Sequence, residues 1–278
     1  MRIGLVAGQS GHVRPFARLI QQSHRARVTA ATGDDQVVDA LAEMTGCRRV
    51  SSAEQLAGEV DAVMVVDDRD DGACHAGHAE PALRAGLPTF IDKPLMPELE
   101  SAQALVKLAR EHQAPLMSTS SARYAPALDA FRDSDVTPWQ SLFVGGPGEW
   151  WFYGVHLAEI AVALLGPGFE VRSAVADSGN VLARLQHRDH ASVVLELVPG
   201  GAEGFAVAAR SERALLTASL VPPFDTWYAR LIDDFLTMVD TGTEPIDPAE
   251  TLDVMRVLDA VERATHDGRG PGSDDDHA

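Results

Sequence analysis

The segment Phe90-Ile91-Asp92-Lys93-Pro94-Leu95 is a short apolar strand that ends in an acidic residue, a lysine and a proline. In open α/β sheets, ligands bind in the crevice outside the carboxyl ends of the strands. A lysine that directly follows a buried strand stands at that edge. Lys93 is therefore the first side chain for which we predict a chemical role.

Around this segment the chain alternates between short apolar runs and stretches with apolar residues at helical spacing. The apolar runs predict strands at residues 3–7, 28–32, 60–66, 89–91 and 115–118. The stretches between them predict a helix after Gly11 and helices at residues 36–45, 74–85 and 99–112. Strands separated by helices indicate right-handed βαβ units. Residues 1–120 are predicted to form an α/β Rossmann-like domain with a doubly wound parallel sheet.

The turn after the first predicted strand contains Gly8-Gln9-Ser10-Gly11. Glycines at this place let the main-chain N–H groups of a helix N-terminus approach a dinucleotide pyrophosphate. The pattern departs from a regular GxGxxG motif, because Ser10 and Val13 occupy two of its glycine positions. The loop alone is therefore compatible with a dinucleotide site and with a tight turn that binds nothing.

Asp34 follows the second predicted strand. A carboxylate at that place can accept hydrogen bonds from an adenosine ribose and repels a 2′-phosphate, which favours NAD and leaves NADP as the alternative. Asp34 can also cap the helix that begins near Gln36. The two interpretations do not exclude each other.

Residues 67–72 form an acidic loop, and the helix after it carries Cys74, His75 and His78. Their spacing matches no tetrahedral metal pattern, and such runs are mostly solvated loops with capping aspartates. We predict that no metal binds here.

The second half of the chain begins with a predicted crossover helix at residues 121–133. An apolar helix follows, on which His156 and Glu159 lie three residues apart and project from one face. A histidine and a carboxylate in this arrangement can act as an acid/base and its orienting group, or can simply fix helix packing. The preceding aromatic residues Trp150 to Tyr153 form core, interface or pocket wall.

Alternating apolar and polar residues predict strands at residues 171–176, 181–186, 192–197, 206–210 and 215–219. No helical stretch separates them, so this second sheet should be mainly antiparallel. Helices are predicted at residues 227–239 and 248–264, the latter capped by Asp247. We therefore predict an α+β domain at residues 121–266, whose terminal helices can pack back on the first domain, and a disordered acidic tail at 267–278.

The composition restricts the kind of partner. The 278 residues carry a formal net charge of −18, which disfavours nucleic acids and anionic membrane surfaces and favours a small-molecule substrate. The N-terminus lacks the apolar segment of a signal peptide, and no apolar run reaches membrane-spanning length. The two cysteines are too few for a disulfide framework. A cytoplasmic location is expected.

In its order of elements the chain resembles the glucose-fructose oxidoreductase / inositol dehydrogenase / MocA family. The segment that ends in Asp92-Lys93-Pro94 is similar to that family's Glu-Lys-Pro segment, and Gly154-Val155-His156-Leu157-Ala158-Glu159 is similar to its Gly-x-His-x-x-Asp helix. Residues 235–253 are similar to its terminal helical region. The likeness extends over nearly the whole chain.

The resemblance implies an NAD(P)-dependent oxidoreductase that exchanges hydride with a sugar-like or polyol-derived small molecule. It makes Lys93 and His156 the catalytic candidates, because the family uses this lysine and histidine on the reacting oxygen. The predicted cofactor-binding residues are Gly8, Ser10, Gly11, His12, Asp34, Asp67, His75, Asp92, Lys93 and Pro94. The predicted substrate-binding residues are Arg123, Tyr124, Trp151, Tyr153 and Glu159.

The chain also departs from the family. Phe152 stands one helical turn before His156, where the family's dehydrogenases commonly have an aspartate. The alternatives to hydride transfer are therefore non-redox chemistry, such as elimination, isomerisation or cyclisation, and a catalytically silent binding protein. The family often pairs through the exposed face of its second sheet, which implies a homodimer or homotetramer.

Overall fold

The structure, a computed structural model, describes residues 1–134 and 138–267, which group into two units. Unit 1 comprises Met1–Tyr124 and Pro223–Leu252, and unit 2 comprises Ala125–Pro222 and the described residues from Asp253 onward. Apart from Asp267, the last residue of a helix, the predicted disordered tail lies outside the described residues.

Unit 1 contains the predicted parallel sheet, in the order β3-β2-β1-β4-β5-β6 with every neighbouring pair parallel. The strand order reverses between β1 and β4, the feature that places a ligand crevice at the carboxyl edge of a doubly wound sheet. The strands are β1 (Arg2–Ala7), β2 (Arg27–Gly33), β3 (Arg48–Arg49), β4 (Ala62–Val66), β5 (Thr89–Ile91) and β6 (Leu116–Met117).

Helices connect these strands and form the core of unit 1 with them. They are α1 (Val13–Gln22), α2 (Asp35–Thr45), α3 (Ala53–Ala57), α4 (His75–Arg84), α5 (Leu99–Glu111) and, from the later chain segment, α8 (Asp225–Thr241). Phe90 of β5 lies between two further aromatic rings, with ring centroids 5.9 Å from Phe16 of α1 and 6.1 Å from Phe235 of α8. All three are buried. The core therefore fixes β5, and with it the residues that follow β5.

Unit 2 contains a second sheet in the order β12-β11-β7-β10-β9-β8. Within this second sheet, β7 and β10 are the only parallel pair among the described strands, which confirms a mainly antiparallel sheet. The strands are β7 (Ser141–Pro147), β8 (Phe169–Asp177), β9 (Asn180–His187), β10 (Ser192–Val198), β11 (Phe205–Arg210) and β12 (Leu215–Leu220).

The long helix α7 (Trp150–Leu165) packs on one face of the second sheet. Along β10, the alternate residues Val193, Leu195 and Leu197 are fully buried, whereas the residues between them are partly exposed or exposed. This period of two is what one covered face produces. The other terminal helix, α9 (Pro248–Asp267), begins after Asp247, whose carboxylate accepts the Ala249 N–H at 2.9 Å and confirms the predicted cap.

The prediction of one helix at residues 121–133 is wrong. This stretch forms two 3-10 turns, Ser121–Tyr124 and Pro126–Leu128, and a short helix α6 (Asp129–Arg132). Proline disfavours helical backbone at the residue before it, and Ala125 is accordingly non-helical with ψ 123°. The strand β7 was not predicted, because Gly145 and Gly146 weaken its strand signal. The short elements β3 and α3 were not predicted either.

Within the described residues, no helix combines the length and apolar character needed to cross a lipid bilayer.

Candidate functional site

Three strands of unit 1 end side by side and bring their following residues to one edge. Ala7 of β1 is paired with Val66 of β4, so Gly8 and Asp67 follow at the same level. The Gly8 N–H donates to the Val66 carbonyl at 2.9 Å, and the Asp92 N–H donates to the Val65 carbonyl at 2.9 Å. The strand pairing thus brings together candidates that lie far apart in sequence.

The loop Gly8-Gln9-Ser10-Gly11 turns the chain from β1 into α1. The Ser10 N–H donates to the Gly8 carbonyl at 3.0 Å, and the Ser10 hydroxyl accepts the His12 N–H at 3.2 Å. No side chain among the described residues caps α1, whose cap residue is His12. An uncapped helix N-terminus presents main-chain N–H groups to an anion.

Asp67 supports this loop from beneath. It is fully buried, and a Cβ added at Gly8 would lie 1.9 Å from its Cγ atom, so only glycine fits there. Burial alone would raise the pKa of Asp67, but hydrogen bonds from the Arg69 main chain and guanidinium outweigh burial and lower it. The negative charge of Asp67 is therefore compensated within its own loop.

Asp34 follows β2 and caps α2. Its Oδ1 atom accepts the N–H groups of Gln36 at 3.0 Å and Val37 at 3.2 Å, and these bonds, Val37 first, lower its pKa. Its Oδ2 atom lies 3.5 Å from Nε2 of Gln9, in the glycine loop. The capping interpretation is confirmed, and one carboxylate oxygen still faces the loop.

Asp92 and Lys93 follow β5 and are both buried. Oδ1 of Asp92 accepts the Lys93 N–H at 2.9 Å, and Oδ2 lies 2.6 Å from Nδ1 of His12. Burial raises the pKa of Asp92, but the nearby His12 and Lys93 more than offset this and lower it to about 2. Asp92 is thus a buried carboxylate that keeps its charge through its neighbours.

Asp68 is an additional acidic residue of the site, which the sequence predictions did not include. Its Oδ1 atom is buried and accepts no hydrogen bond from any described residue. Burial and the charge of Asp92 raise the pKa of Asp68, against the opposing effects of Lys93, Ser10 and His12. Asp68 therefore holds its proton to a higher pH than an ordinary aspartate. The acidic run 67–72 contained this residue, but nothing in the run distinguished it from a solvated aspartate.

His75 connects two of these strand-end segments. It is fully buried, with Nε2 at 2.8 Å from the Asp67 carbonyl and Nδ1 at 3.1 Å from the Leu95 carbonyl. Leu95 follows Pro94, whose peptide bond with Lys93 is cis. His75 therefore holds the Lys93 segment against the end of β4. The contact of His75 with a cofactor stays a prediction.

Asp67 also lies near Cys74 and His78, and one ligand atom of each falls within 4.8 Å of the others. The Asp67 carboxylate is already paired with Arg69, and burial raises the pKa of the Cys74 thiol to about 11. A protonated thiol and an occupied carboxylate are poor metal ligands. These features support the prediction of no metal at this cluster.

The candidates Arg123 and Tyr124 belong to unit 1, where they bind its later segment. Nη2 of Arg123 donates to Oε2 of Glu250 at 2.8 Å, and the Tyr124 hydroxyl donates to Oδ2 of Asp234 at 2.9 Å. These bonds give both residues a structural role. Whether they also contact a substrate stays a prediction.

The remaining candidates lie on α7 in unit 2. His156 is half-buried, and its ring centroid lies 5.8 Å from that of Tyr153 and 5.4 Å from that of Phe205. Glu159 is buried, Trp151 is half-buried, and Phe152 is 39% exposed. Helix α7 thus carries His156 and Glu159 as predicted, and Phe152 brings an exposed apolar ring instead of a carboxylate.

The N-terminal part of the chain matches a known family. Residues 1–120 match the model of a family described as "Oxidoreductase family, NAD-binding Rossmann fold". The chain is 31% identical over 137 residues to UDP-N-acetylglucosamine 3-dehydrogenase of Acidithiobacillus ferrooxidans. It is also 31% identical over 135 residues to inositol 2-dehydrogenase of Rhizobium meliloti. Each alignment covers 48% of this chain, and 41% and 39% of those relatives respectively.

The fold of the whole chain also resembles solved structures. GenD2 from gentamicin A biosynthesis, solved in complex with NAD, matches with a TM-score of 0.84 and 19% identity over 97% of this chain and 95% of GenD2. At 19% identity this match indicates a shared fold only. It agrees with the predicted order of a Rossmann-like part and a mainly antiparallel sheet.

The space around the two glycines of this loop predicts different effects on the free energy of unfolding when each is replaced by alanine. Gly8→Ala places a methyl group into the Asp67 carboxylate, so it should lower the free energy of unfolding by about 1–3 kcal/mol, as other overpacked sites do. Gly11→Ala meets no atom within 4 Å and should change it by less than about 0.5 kcal/mol. Urea unfolding of both variants measures this difference. Equal stability of the two would contradict the described packing of Asp67.

Proposed function

We propose that the chain belongs to the glucose-fructose oxidoreductase / inositol dehydrogenase / MocA family of oxidoreductases, whose model matches residues 1–120, and that it is an NAD-dependent oxidoreductase. The proposed reaction moves a hydride between nicotinamide and a hydroxyl or keto carbon of a sugar-like or polyol-derived small molecule. One observation carries the proposal: Lys93, only 4% exposed, is held where β1, β4 and β5 end side by side.

The residues of unit 1 fit a dinucleotide. The uncapped N-terminus of α1 can bind a pyrophosphate, and the space around Gly11 is open to 4 Å. Asp34 offers a carboxylate oxygen beside this loop for a ribose hydroxyl. The buried acids do not prevent binding of phosphate groups, because Asp67 is paired with Arg69 and Asp92 with His12. NADP remains the alternative cofactor.

Lys93 and His156 are the proposed catalytic residues, by their match to the family's motifs. When bound, NAD supplies hydride chemistry that no side chain provides. The Lys93 ammonium would stabilise negative charge on the reacting oxygen, and His156 would exchange its proton. Trp151, Tyr153 and Glu159, on the same helix as His156, are the proposed substrate contacts in unit 2.

The second candidate function is non-redox chemistry on the same scaffold. Phe152 favours it, because this 39% exposed ring stands where the family's dehydrogenases commonly have a carboxylate. Such a carboxylate would raise the basicity of the neighbouring histidine. Elimination, isomerisation or cyclisation would use the bound cofactor without net consumption.

We also propose that the chain forms a homodimer or homotetramer through the uncovered face of the second sheet. Across this face, Phe143 of β7 is in register with Ala208 of β11 and Val194 of β10. All three are only partly buried, so they form an apolar row on a sheet surface. A second copy of the chain would bury this row.

A cytoplasmic location is proposed as well. Cys47 and Cys74 are free thiols, which supports a reducing compartment.

Calorimetric titration with NADH, followed by nicotinamide turnover on a panel of sugars, polyols and ketones, tests the proposed function. We expect saturable binding and turnover, and Lys93→Met should lower turnover by about 10²-fold or more, the usual loss for one charge-stabilising group. The chain has only two lysines, so Lys107→Met, whose side chain is 76% exposed, is the matched control.

Absence of both binding and turnover would refute the proposal. Transformation of a substrate with the cofactor bound and never consumed would favour the non-redox candidate instead.

Cofactor choice is tested at Asp34. Asp34→Ser keeps a side chain that can cap α2 but removes the carboxylate. The preference for NADH over NADPH should then fall by about tenfold, since a hydrogen bond to a charged group contributes at least ~1.5 kcal/mol. Dissociation constants of both cofactors, measured by calorimetry, give this ratio. An unchanged ratio would limit Asp34 to its capping role.

The proposed assembly is tested by Phe143→Arg, which places a charge in the apolar row of the second sheet. We expect the variant to sediment as a monomer and the unmodified protein as a dimer or tetramer. Met44→Arg, at a 44% exposed residue of unit 1, is the control and should leave the assembly unchanged. A monomeric unmodified protein would contradict the proposed interface.

A further inference from the structure

His12 is held in one orientation by three contacts within unit 1. Its Nδ1 atom lies 2.6 Å from Oδ2 of the buried Asp92. Its ring stacks on Phe16 at a centroid distance of 5.3 Å and meets Tyr228 edge-on at 5.5 Å. The imidazole therefore has little freedom to rotate.

The second ring nitrogen of His12 is available for chemistry. Within residues 1–134 and 138–267, no group hydrogen-bonds Nε2, and the side chain is 21% exposed. A carboxylate on Nδ1 fixes the tautomer with its proton there, so the lone pair of the neutral ring lies on Nε2. A buried carboxylate, an oriented imidazole and an accessible Nε2 together form the acid/base unit found in many enzymes.

The position of this unit relates it to the proposed reaction. Asp92 also accepts the main-chain N–H of Lys93 at 2.9 Å, so a single carboxylate bonds both the His12 ring and the backbone of the proposed catalytic lysine. In unit 2, by contrast, His156 has Phe152 and not a carboxylate one turn before it. His12 and Asp92 thus provide an oriented histidine and its carboxylate within unit 1.

We propose that His12, which Asp92 orients, is a further catalytic residue, whose Nε2 atom exchanges the proton of the substrate hydroxyl in the role that the family's motif would give to His156. This inference rests on the proposed function. Oxidation of an alcohol releases one hydride and one proton. The hydride leaves to the cofactor, the O–H proton moves to Nε2, and a ketone and an imidazolium remain. In the reverse direction the imidazolium returns the proton to the oxygen.

The charges that face His12 determine the pH at which this exchange works. Burial and the charge of Lys93 lower the pKa of His12. The charge and hydrogen bond of Asp92, together with the charge of Asp68, raise it by more, so the pKa of His12 lies above its usual 6.5. The neutral base needed for oxidation becomes populated as the pH rises through that raised pKa. The acid needed for reduction is populated below it. Oxidation should thus increase with pH above 6.5.

A different role for His12 is cofactor binding alone, because it is the residue that precedes α1, beside the glycine loop. An imidazolium there would attract the pyrophosphate of NADH without touching the reacting oxygen. The two roles differ in what is lost on substitution. A binding role affects the dissociation constant of NADH, whereas an acid/base role affects kcat and its pH profile.

The variants His12→Asn and Asp92→Asn separate these roles. In His12→Asn the introduced amide nitrogen takes the place of Nδ1, so the contact with Asp92 is retained while Nε2 is removed. We expect kcat to fall by about 10²- to 10⁴-fold and the pH limb above 6.5 to disappear, with the NADH dissociation constant changed less than threefold. Asp92→Asn should move that limb to lower pH. The control is His266→Gln, at a 61% exposed side chain.

A second measurement does not depend on turnover. In ¹⁵N-histidine NMR of the unmodified protein, the neutral His12 ring should carry its proton on Nδ1, and NADH should shift the Nε2 resonance. In Asp92→Asn the pKa of His12 should fall. Circular dichroism verifies the fold of each variant.

Three results would overturn the inference: kcat of His12→Asn within threefold of the unmodified protein, a loss explained entirely by weaker NADH binding, or an Nε2 resonance that NADH leaves unchanged. An unmodified protein that binds no NADH would overturn the proposed function too. If the unmodified protein binds and consumes NADH but one of these three results is obtained, only the inference about His12 would be overturned.

Discussion

The arrangement of unit 1 depends on one buried charge, the carboxylate of Asp92. A carboxylate without solvent is costly unless it is paired and hydrogen-bonded. Asp92 obtains both from the His12 ring and the Lys93 main chain, which is why its pKa stays near 2 in spite of full burial. Because these partners come from the start of α1 and the end of β5, the same bonds that compensate the charge fix the glycine loop relative to Lys93.

The surrounding structure supports this arrangement by packing and by main-chain hydrogen bonds. The ring of Phe90 lies between Phe16 and Phe235 and anchors β5. His75 joins the residue after β4 to the residue after Pro94 through two main-chain carbonyls. Asp67 fills the space beneath Gly8 and is compensated by Arg69. The buried carboxylates Asp67 and Asp92 thus each have a partner of their own, and the edge remains open to a negatively charged cofactor.

Much of this could be predicted from the sequence because the deciding signals are local. Periodicity and turn residues located both sheets, and the segment at Asp92-Lys93-Pro94 predicted the ligand edge. The family match over residues 1–120 confirms the predicted Rossmann-like part. Where local rules failed, a local cause is visible: Pro126 interrupts the predicted helix at 121–133, and two glycines conceal β7. The proline and the two glycines are thus visible in the sequence, but the apolar pattern around Pro126 still favoured a helix and the two glycines weakened the strand signal of β7.

The pairing of His12 with Asp92 could not be predicted, because 80 residues separate the two and only the order of β1, β4 and β5 brings them together. Asp68 was missed for a similar reason, since an acidic run does not show which carboxylate is desolvated. A crystal structure grown with NAD tests the account most directly. It should show the pyrophosphate at the N-terminus of α1 and the nicotinamide beside Lys93 and His12. A nicotinamide ring remote from both residues, or no cofactor at the glycine loop, would contradict it.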